Sequence, residues 1–323
     1  MKLLDGLRYP GDHAVLHIAA LKGCLDYLGA GLDYAWLCGG TGHAFVISIH
    51  AEVDVQGVNE WNPQMLLDLA PNLGYRCTDI REWGPALGDA FLARQQEARE
   101  LIQRSIDAGN PCYGFCVDPA NPDYSPICGY DAQGYYYTHI GTCEARGPVA
   151  WDKLGTIGVP LLEVYSVELC TPADDGKVVR DALRAALRHA ANLDGWVADP
   201  NARSGLAAFE LWADALNCGE ALLLHHDWNL QVWLDCREAA IAFLAEAKSR
   251  LPGKANEPLD SAMRHYRAVA AALREARGMV PKKTTTWEER LKFASPEAAQ
   301  LIRDAGDAER QALDCLERIV AAV

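Results

Sequence analysis

The most constraining feature of this sequence is a change of pattern near residue 170. Before that point, helical stretches alternate with short runs rich in β-branched and aromatic residues, and the last such run covers 159–169. Beyond the segment 170–175 no convincing strand pattern is left, and apolar residues recur at helical spacing. A chain of 323 residues is also long for a single hydrophobic core. We therefore predict an α+β domain over 1–170 and an all-helical bundle over 171–323.

Five long helices are predicted in the second half, over 174–193, 204–217, 226–250, 257–276 and 295–322. The last has a well-defined start, because Ser295 can act as an N-cap and Pro296 suits the first helical position. Asp227 is predicted to cap the third of these helices. A homo-oligomer formed through the helical bundle is one hypothesis that this half of the chain allows.

The first half is predicted to mix helices with a β-hairpin. A first helix with its flanks covers 12–29 and is capped by Asp12, and Gly134 supplies the turn of the hairpin. The other predicted elements are a glycine-rich loop over 38–42, a strand over 43–50, helices over 62–70 and 87–108, a strand over 111–117, and hairpin strands over 127–131 and 135–139.

Charge and hydropathy narrow the classes of partner. The formal net charge is −14, whereas a protein that binds nucleic acid needs a basic face, so we expect no nucleic-acid partner. No apolar run reaches the roughly 18 to 20 residues of a membrane span. Residues 1–6 are too few and too polar for the apolar region of a signal peptide. We therefore expect a cytoplasmic protein whose partner is a small molecule.

The eleven cysteines are spread over the whole chain and are predicted to be reduced, mostly buried thiols. Cys112 and Cys116 form a single tight pair, with Cys128 and Cys143 further along. Structural zinc sites usually show two tight pairs. The sequence therefore predicts no metal site and no cofactor.

The order of elements in the first half resembles the papain-like fold. The pattern formed by Ala20-Leu21 and Leu25-Asp26-Tyr27-Leu28-Gly29 looks like the first helix of the double-glycine leader peptidases, and residues 127–137 look like their catalytic hairpin. The whole layout, including the helical tail, is most similar to the butirosin biosynthesis protein H family. This resemblance is best over 13–49 and 111–139. It implies a hydrolase or acyltransferase that acts on an amide, ester or thioester of a small molecule.

The same resemblance places the catalytic positions on residues that do not form the usual Cys-His-Asp triad. The nucleophile's position falls at Leu16, next to His17. The position of the catalytic histidine falls at Asp123 or Tyr124, and that of the orienting carboxylate at His139. An ordinary thiol protease mechanism is therefore not expected.

For three residues of the first half, Cys24, His17 and His43, the sequence allows either a functional or a structural role. Cys24 is the remaining thiol of the first helix, and it is either a displaced nucleophile or a buried structural residue. His17 lies two turns before Cys24 on the same helix face and is either functional or a core histidine. His43 follows the glycine-rich loop, which is either the wall of a pocket or a tight connection.

The candidate catalytic residues are thus His17, Cys24, His43, Tyr124 and His139. A histidine and a tyrosine can serve as base and acid without a thiol, which keeps an enzymatic function open. The alternative is a catalytically degenerate papain-like protein that binds a small molecule or peptide. Fold alone does not decide between them, because function resides in sites rather than in folds.

Overall fold

The computed structural model describes residues 1–59, 63–84, 88–193, 199–251, 253–282, 286 and 289–323. The chain forms two compact units, and each of them is built from two stretches of sequence. The first unit comprises Met1–Leu37 and Gly74–Pro172, and the second comprises Cys38–Leu73 and Ala173–Val323.

Helices and strands alternate in the first half of the chain, and helices dominate the second. The strands are β1 Lys2–Leu3, β2 Ser48–His50, β3 Tyr75–Trp83, β4 Cys112–Phe115, β5 Tyr124–Tyr130, β6 Gly134–Thr138, β7 Ala145–Ala150, β8 Leu161–Leu169, β9 Ala202–Ser204, β10 Ala221–Leu222 and β11 Lys292–Phe293. The helices are α1 Leu16–Tyr27, α2 Tyr34–Gly40, α3 Val55–Asn59, α4 Pro63–Leu69, α5 Asp89–Asp107, α6 Asp175–Ala190, α7 Leu206–Cys218, α8 Leu223–Arg250, α9 Asn256–Gly278 and α10 Pro296–Ala322. Among the helices that the structure describes, none combines the length and the apolar composition that crossing a bilayer would require.

The first unit is organised around an antiparallel sheet. Its strand order is β3-β8-β4-β5-β6-β7, and β1 pairs with the far end of β5. The predicted hairpin is confirmed, because β5 and β6 pair with Ile127 opposite Tyr137. The first helix begins at Leu16, so the prediction that Asp12 caps it is wrong, and no side chain accepts a capping hydrogen bond at its start.

The two faces of this sheet carry different side chains. Successive residues of a strand point to opposite faces. Val164 belongs to an apolar core together with Leu101 and Ile102 of α5, whereas its neighbour Tyr165 contacts His17 of α1. The α5 face is therefore largely apolar, and the α1 face carries titratable groups.

The second unit is mainly helical, as predicted. The helices α6 to α10 match the five predicted ones to within a few residues at each end. Ser295 caps α10 by accepting a hydrogen bond from the N–H of Ala298 at 3.1 Å, which confirms that prediction. The Asp227 cap is wrong, because α8 already begins at Leu223. The unit is also not purely helical, since β2 pairs with β9 and β10 pairs with β11.

Residues 38–73 pack within the helical unit, although the predicted boundary placed them in the first domain. Arg237 of α8 donates hydrogen bonds to the carbonyls of Ala44 and Val46, which ties this segment to the bundle. A Cβ at Gly39 would lie 2.1 Å from the ring of Phe243, so only glycine allows this approach. Nonlocal contacts of this kind leave no periodic signal in the sequence.

The segment 38–50 itself differs from the prediction in its local structure. The glycines that were predicted to form a loop end helix α2, which runs to Gly40. The predicted strand over 43–50 is a 3₁₀ turn over His43–Phe45 followed by the short strand Ser48–His50. Gly42, just before this turn, has a positive φ of +76°, which glycine adopts easily. This conformation ends the preceding helical path of the chain and allows the 3₁₀ turn to form.

Candidate functional site

His17 lies at the second position of α1 and is surrounded by tyrosines of the sheet. The side chains of Tyr113, Tyr124 and Tyr165 come from β4, β5 and β8 and all point towards α1. The Nε2 atom of His17 is 3.2 Å from the hydroxyl oxygen of Tyr113. The rings of His17 and Tyr124 meet edge to face with 4.3 Å between their centroids. The structure therefore brings together two of the predicted site residues.

A buried carboxylate completes this group, which we call the His17 cluster (His17, Tyr113, Tyr124, Glu163 and Tyr165). Glu163 accepts hydrogen bonds from the hydroxyls of Tyr124 at 2.5 Å and Tyr165 at 3.3 Å. Burial raises the pKa of Glu163, while its tyrosine donors and a nearby arginine, Arg81, oppose that rise. The cluster can therefore hold a proton in the interior of the first unit.

His139 forms a second site with Asp118, and we call the pair the His139–Asp118 dyad. The Nδ1 atom of His139 is 2.5 Å from Oδ2 of Asp118. The Asp118 side chain is fully buried, and that of His139 is 26% exposed. The other oxygen of Asp118 accepts a hydrogen bond from the N–H of Ala120 at 2.8 Å. The carboxylate is thus fixed on both oxygens and orients an imidazole that reaches the surface.

The loop that carries Asp118 holds a second unusual acid, Asp123. Burial raises the pKa of Asp123 to about 7, although the N–H of Tyr124 donates a hydrogen bond to its carboxylate at 2.8 Å. The loop is closed by a hydrogen bond from the Asn121 N–H to the Asp118 carbonyl at 3.0 Å. A carboxyl group that titrates near neutral pH is a frequent mark of a functional site.

Tyr124 links the loop to the His17 cluster. Its backbone N–H binds Asp123, and its carbonyl accepts a hydrogen bond of 2.6 Å from the hydroxyl of Tyr9. Its side chain belongs to the His17 cluster and donates to Glu163. His17, Tyr124 and His139 therefore lie in one connected region of the first unit, although His139 takes part through the loop and not by direct contact.

Cys24 lies in a different environment. Its side chain is completely buried, and its Sγ atom donates a hydrogen bond to the carbonyl of Cys112 at 3.5 Å. Burial raises the pKa of the Cys24 thiol well above its usual value, and neighbouring cysteines add to the effect. This environment favours the structural interpretation of Cys24, because a nucleophile needs an accessible thiolate.

His43 belongs to the second unit, whereas the other four predicted site residues lie in the first. It is buried at the start of the 3₁₀ turn over His43–Phe45. Burial lowers the pKa of His43 to about 4, so its ring is neutral at physiological pH. His43 is thus part of a different compact unit from His17, Tyr124 and His139.

Four residues of this region were not predicted as site residues from the sequence: Asp118, Glu163, Tyr113 and Tyr165. Asp118 lies in a turn rich in proline and asparagine, where an acid is unremarkable. Glu163 interrupts the otherwise apolar start of β8, and a charged residue in such a run is a usable signal, because acids are rarely buried without partners. The partner of His139 became visible only in three dimensions.

Comparison with models of protein families gives no match to this chain. A comparison with curated proteins gives none either. The function of the chain therefore has to be inferred from the geometry of its own side chains.

Proposed function

We propose that the first unit is a papain-like hydrolase or acyltransferase in which the His139–Asp118 dyad acts as a general base in place of a cysteine nucleophile. The observation that carries this proposal is the 2.5 Å contact between Nδ1 of a partly exposed imidazole and a fully buried carboxylate. Buried acids that orient a histidine in this way are a recurrent part of acyl-transfer sites.

The chemistry follows from the orientation of the ring. Asp118 accepts the Nδ1–H hydrogen bond and thereby keeps Nε2 as the basic nitrogen of His139. Nε2 removes a proton from water or from an acceptor hydroxyl, whose oxygen then attacks the carbonyl carbon of an ester, thioester or amide. A carbon–oxygen bond forms, the bond to the leaving group breaks, and the proton on Nε2 passes to the leaving group.

Asp123 supports this function as a source or store of protons. Because its pKa is raised to about 7, the side chain is partly protonated at neutral pH. Burial raises the pKa of Tyr9, and the nearby carboxyls of Asp123 and Asp118 add to that rise. A carboxyl group that exchanges its proton near neutral pH suits general acid–base catalysis.

The test uses the full-length protein and small chromogenic acyl esters. We expect His139→Gln and Asp118→Asn each to lower kcat/KM by about 10²- to 10⁴-fold, the usual contribution of general acid–base catalysis. A matched control is His265→Gln, which alters a half-buried histidine of helix α9 in the second unit. Pretreatment with iodoacetamide should leave the rate unchanged, because the mechanism needs no thiol.

Two results would overturn the proposal. One is a rate that stays within about twofold of the parent in both dyad variants, since a general base contributes far more than that. The other is inactivation by iodoacetamide, which would point to one of the cysteines. Circular dichroism of each variant checks that a lost rate does not reflect unfolding.

Binding without catalysis is a second candidate, and the sealed position of Cys24 favours it. A papain-like protein whose thiol is buried, and whose His17 is enclosed by tyrosines, has no ordinary nucleophile near the start of α1. This candidate predicts no turnover of any acyl ester, together with a rise in the thermal unfolding midpoint on binding of a small amide or peptide. Turnover that depends on His139 would exclude it.

A further inference from the structure

Three potential metal ligands converge just after strand β2 in the second unit. His50 is the last residue of β2, and Glu52 and Asp54 follow at alternate positions. One ligand atom from each of the three lies within 4.8 Å of the other two. Val53 has a positive φ of 52°, which folds the backbone back on itself at this point. Asp199 faces the other ring nitrogen of His50, with its Oδ2 3.8 Å from Nε2.

The distances in this group are longer than hydrogen bonds and suit ligands of a common ion. Oδ2 of Asp54 lies 3.5 Å from Nδ1 of His50. Ordinary N–H···O hydrogen bonds measure about 2.9 Å. Two ligands that are each about 2.1 Å from one metal ion, and about 110° apart, lie about 3.4 Å from one another. The distance between Nδ1 of His50 and Oδ2 of Asp54 is therefore close to that expected for two ligands of one metal ion.

Asp54 has bonding capacity that its described neighbours do not use. Its side chain is 8% exposed, and Oδ1 accepts a hydrogen bond from the N–H of Gln56 at 2.9 Å. Within the described part of the chain, no hydrogen bond reaches Oδ2, which points at His50. The Nδ1 atom of His50 accepts a long hydrogen bond of 3.3 Å from the N–H of Glu52. Oδ2 of Asp54 can therefore take a further partner, and a cation bound beside His50 would supply it.

Local charge also favours a cation. Glu52 pairs with Arg290 at 2.5 Å and with Lys292 at 3.1 Å. Lys292 also pairs with Glu220. Glu52 and Glu220 thus have cationic partners, whereas no lysine or arginine of the described chain pairs with Asp54. A divalent ion would balance the remaining charge.

We propose that His50, Glu52 and Asp54 bind a divalent first-row transition metal ion. One imidazole and two carboxylates form a ligand set that suits Mn²⁺, Fe²⁺ or Zn²⁺, whereas Ca²⁺ prefers sites made of oxygen atoms alone. The ion would fix the turn that follows β2. Its role is to stabilise the second unit, so it is independent of the acyl chemistry proposed for the first.

The test is a titration of the full-length, chelator-treated protein with Mn²⁺, followed by the electron paramagnetic resonance signal of the free ion. Mn²⁺ is chosen because this chain has eleven cysteines, and their sulfur atoms prefer softer metals such as Zn²⁺. We expect one Mn²⁺ per chain. Asp54→Asn and His50→Ala should each weaken Mn²⁺ binding by at least about tenfold. Loss of a residue that only hydrogen-bonds to a metal ligand already costs about that much, and loss of a ligand itself costs no less. His265→Ala should bind like the parent.

A second measurement keeps the proposal testable if a variant folds poorly. Asp54→Asn preserves the size of the side chain, and far-ultraviolet circular dichroism checks its fold. Mn²⁺ should raise the thermal unfolding midpoint of the parent and of His265→Ala, but not that of Asp54→Asn. The proposal is wrong if the parent shows no saturable binding. It is also wrong if Asp54→Asn and His50→Ala bind Mn²⁺ with the affinity of the parent.

Discussion

The ion pair between Arg237 and Glu309 is completely enclosed in the second unit, and breaking it should destabilise the fold severely. The exposed fractions of the two side chains are 0% and 4%, and Nε of Arg237 lies 2.8 Å from Oε2 of Glu309. The same guanidinium donates to the carbonyls of Ala44 at 3.2 Å and Val46 at 2.9 Å. One side chain therefore joins α8, α10 and the segment after α2.

The perturbation is Glu309→Gln, which keeps the shape of the side chain but removes its charge. The guanidinium would remain buried without a counter-charge, and removal of one partner of such a pair costs about 3–5 kcal/mol. That is a large part of the roughly 5–15 kcal/mol by which a typical domain is stable. Arg237→Met should also be strongly destabilising, because it leaves Glu309 buried without its partner.

The double variant Arg237→Met/Glu309→Leu separates the charge effect from the packing effect. It removes both charges and leaves two carbonyls without donors, at a cost of about 1–3 kcal/mol each. Its loss should therefore be clearly smaller than the sum of the two single losses. Lys248→Met, which breaks an exposed pair with Asp260, is the control and should change stability by no more than about 1 kcal/mol.

These differences are measured by urea unfolding. The transition is monitored by tryptophan fluorescence, to which Trp212 and Trp233, both buried in the same unit, contribute. The dependence on urea should keep its slope while the midpoint falls. A decrease in the free energy of unfolding of less than about 1 kcal/mol in Glu309→Gln would contradict this prediction. Such a value lies far below the usual cost of an uncompensated buried charge. The prediction is also refuted if the double variant loses as much as both single variants together.

Three further predictions concern thiols and pH. Iodoacetamide should modify the exposed Cys143 rapidly in the native protein and the buried Cys24 only after unfolding, which peptide mass spectrometry would show. Burial lowers the pKa of His43 to about 4 and that of His226 to about 3, so the unfolded chain binds more protons below about pH 6.5. The free energy of unfolding of the parent should therefore decrease as the pH is lowered from about 6.5 to 4. In His43→Gln this decrease should be smaller. Asp123 has the opposite sign, because its pKa is raised to about 7 and its native form binds the extra proton, so its contribution to stability is lost as pH rises from about 4 to 7. Asp123→Asn should therefore gain stability relative to the parent over that range, measured by urea unfolding at a series of pH values.

The helical half could be predicted well because its signals are local. Apolar residues at a spacing of three and four identify each helix, and Ser295 marks the start of α10 without knowledge of any distant residue. The pairs β2–β9 and β10–β11 escaped prediction because strands of two or three residues show no usable alternation. Their formation depends on partners far away in sequence.

Strand β3 shows the same limit in the first half. Its sequence, from Tyr75 to Trp83, contains Arg76, Asp79 and Arg81, so it lacks the apolar run that identifies a buried strand. It is nevertheless paired along its whole length with β8. Arg81 stands opposite Glu163 in that pairing, and opposite charges across a strand pair compensate for the missing apolar residues.

The candidate site divides along the same line between local and nonlocal information. The sequence pointed to His17, Tyr124 and His139, because each occupies a position defined by a nearby helix or hairpin. It did not reveal that Asp118 would meet His139, 21 residues further on, or that Glu163 would meet Tyr124, 39 residues away. A side chain can be recognised as reactive from its type and its element, but its protonation and orientation depend on the partner.

In the proposed papain-like function, Tyr124 holds the acids that surround the base. Where the resemblance puts the catalytic histidine, at Asp123 or Tyr124, the backbone N–H of Tyr124 binds the carboxyl of Asp123 and its hydroxyl donates to Glu163. The imidazole lies one strand further along the chain, on His139, and its buried acid comes from the loop that leads to Tyr124. In this proposal the catalytic histidine and its carboxylate have moved together by one strand, and the start of α1 packs around His17. The absence of a triad at the expected positions is then compatible with catalysis. A dyad needs only a buried acid, an exposed imidazole, and an attacking oxygen that comes from water or from an acceptor hydroxyl.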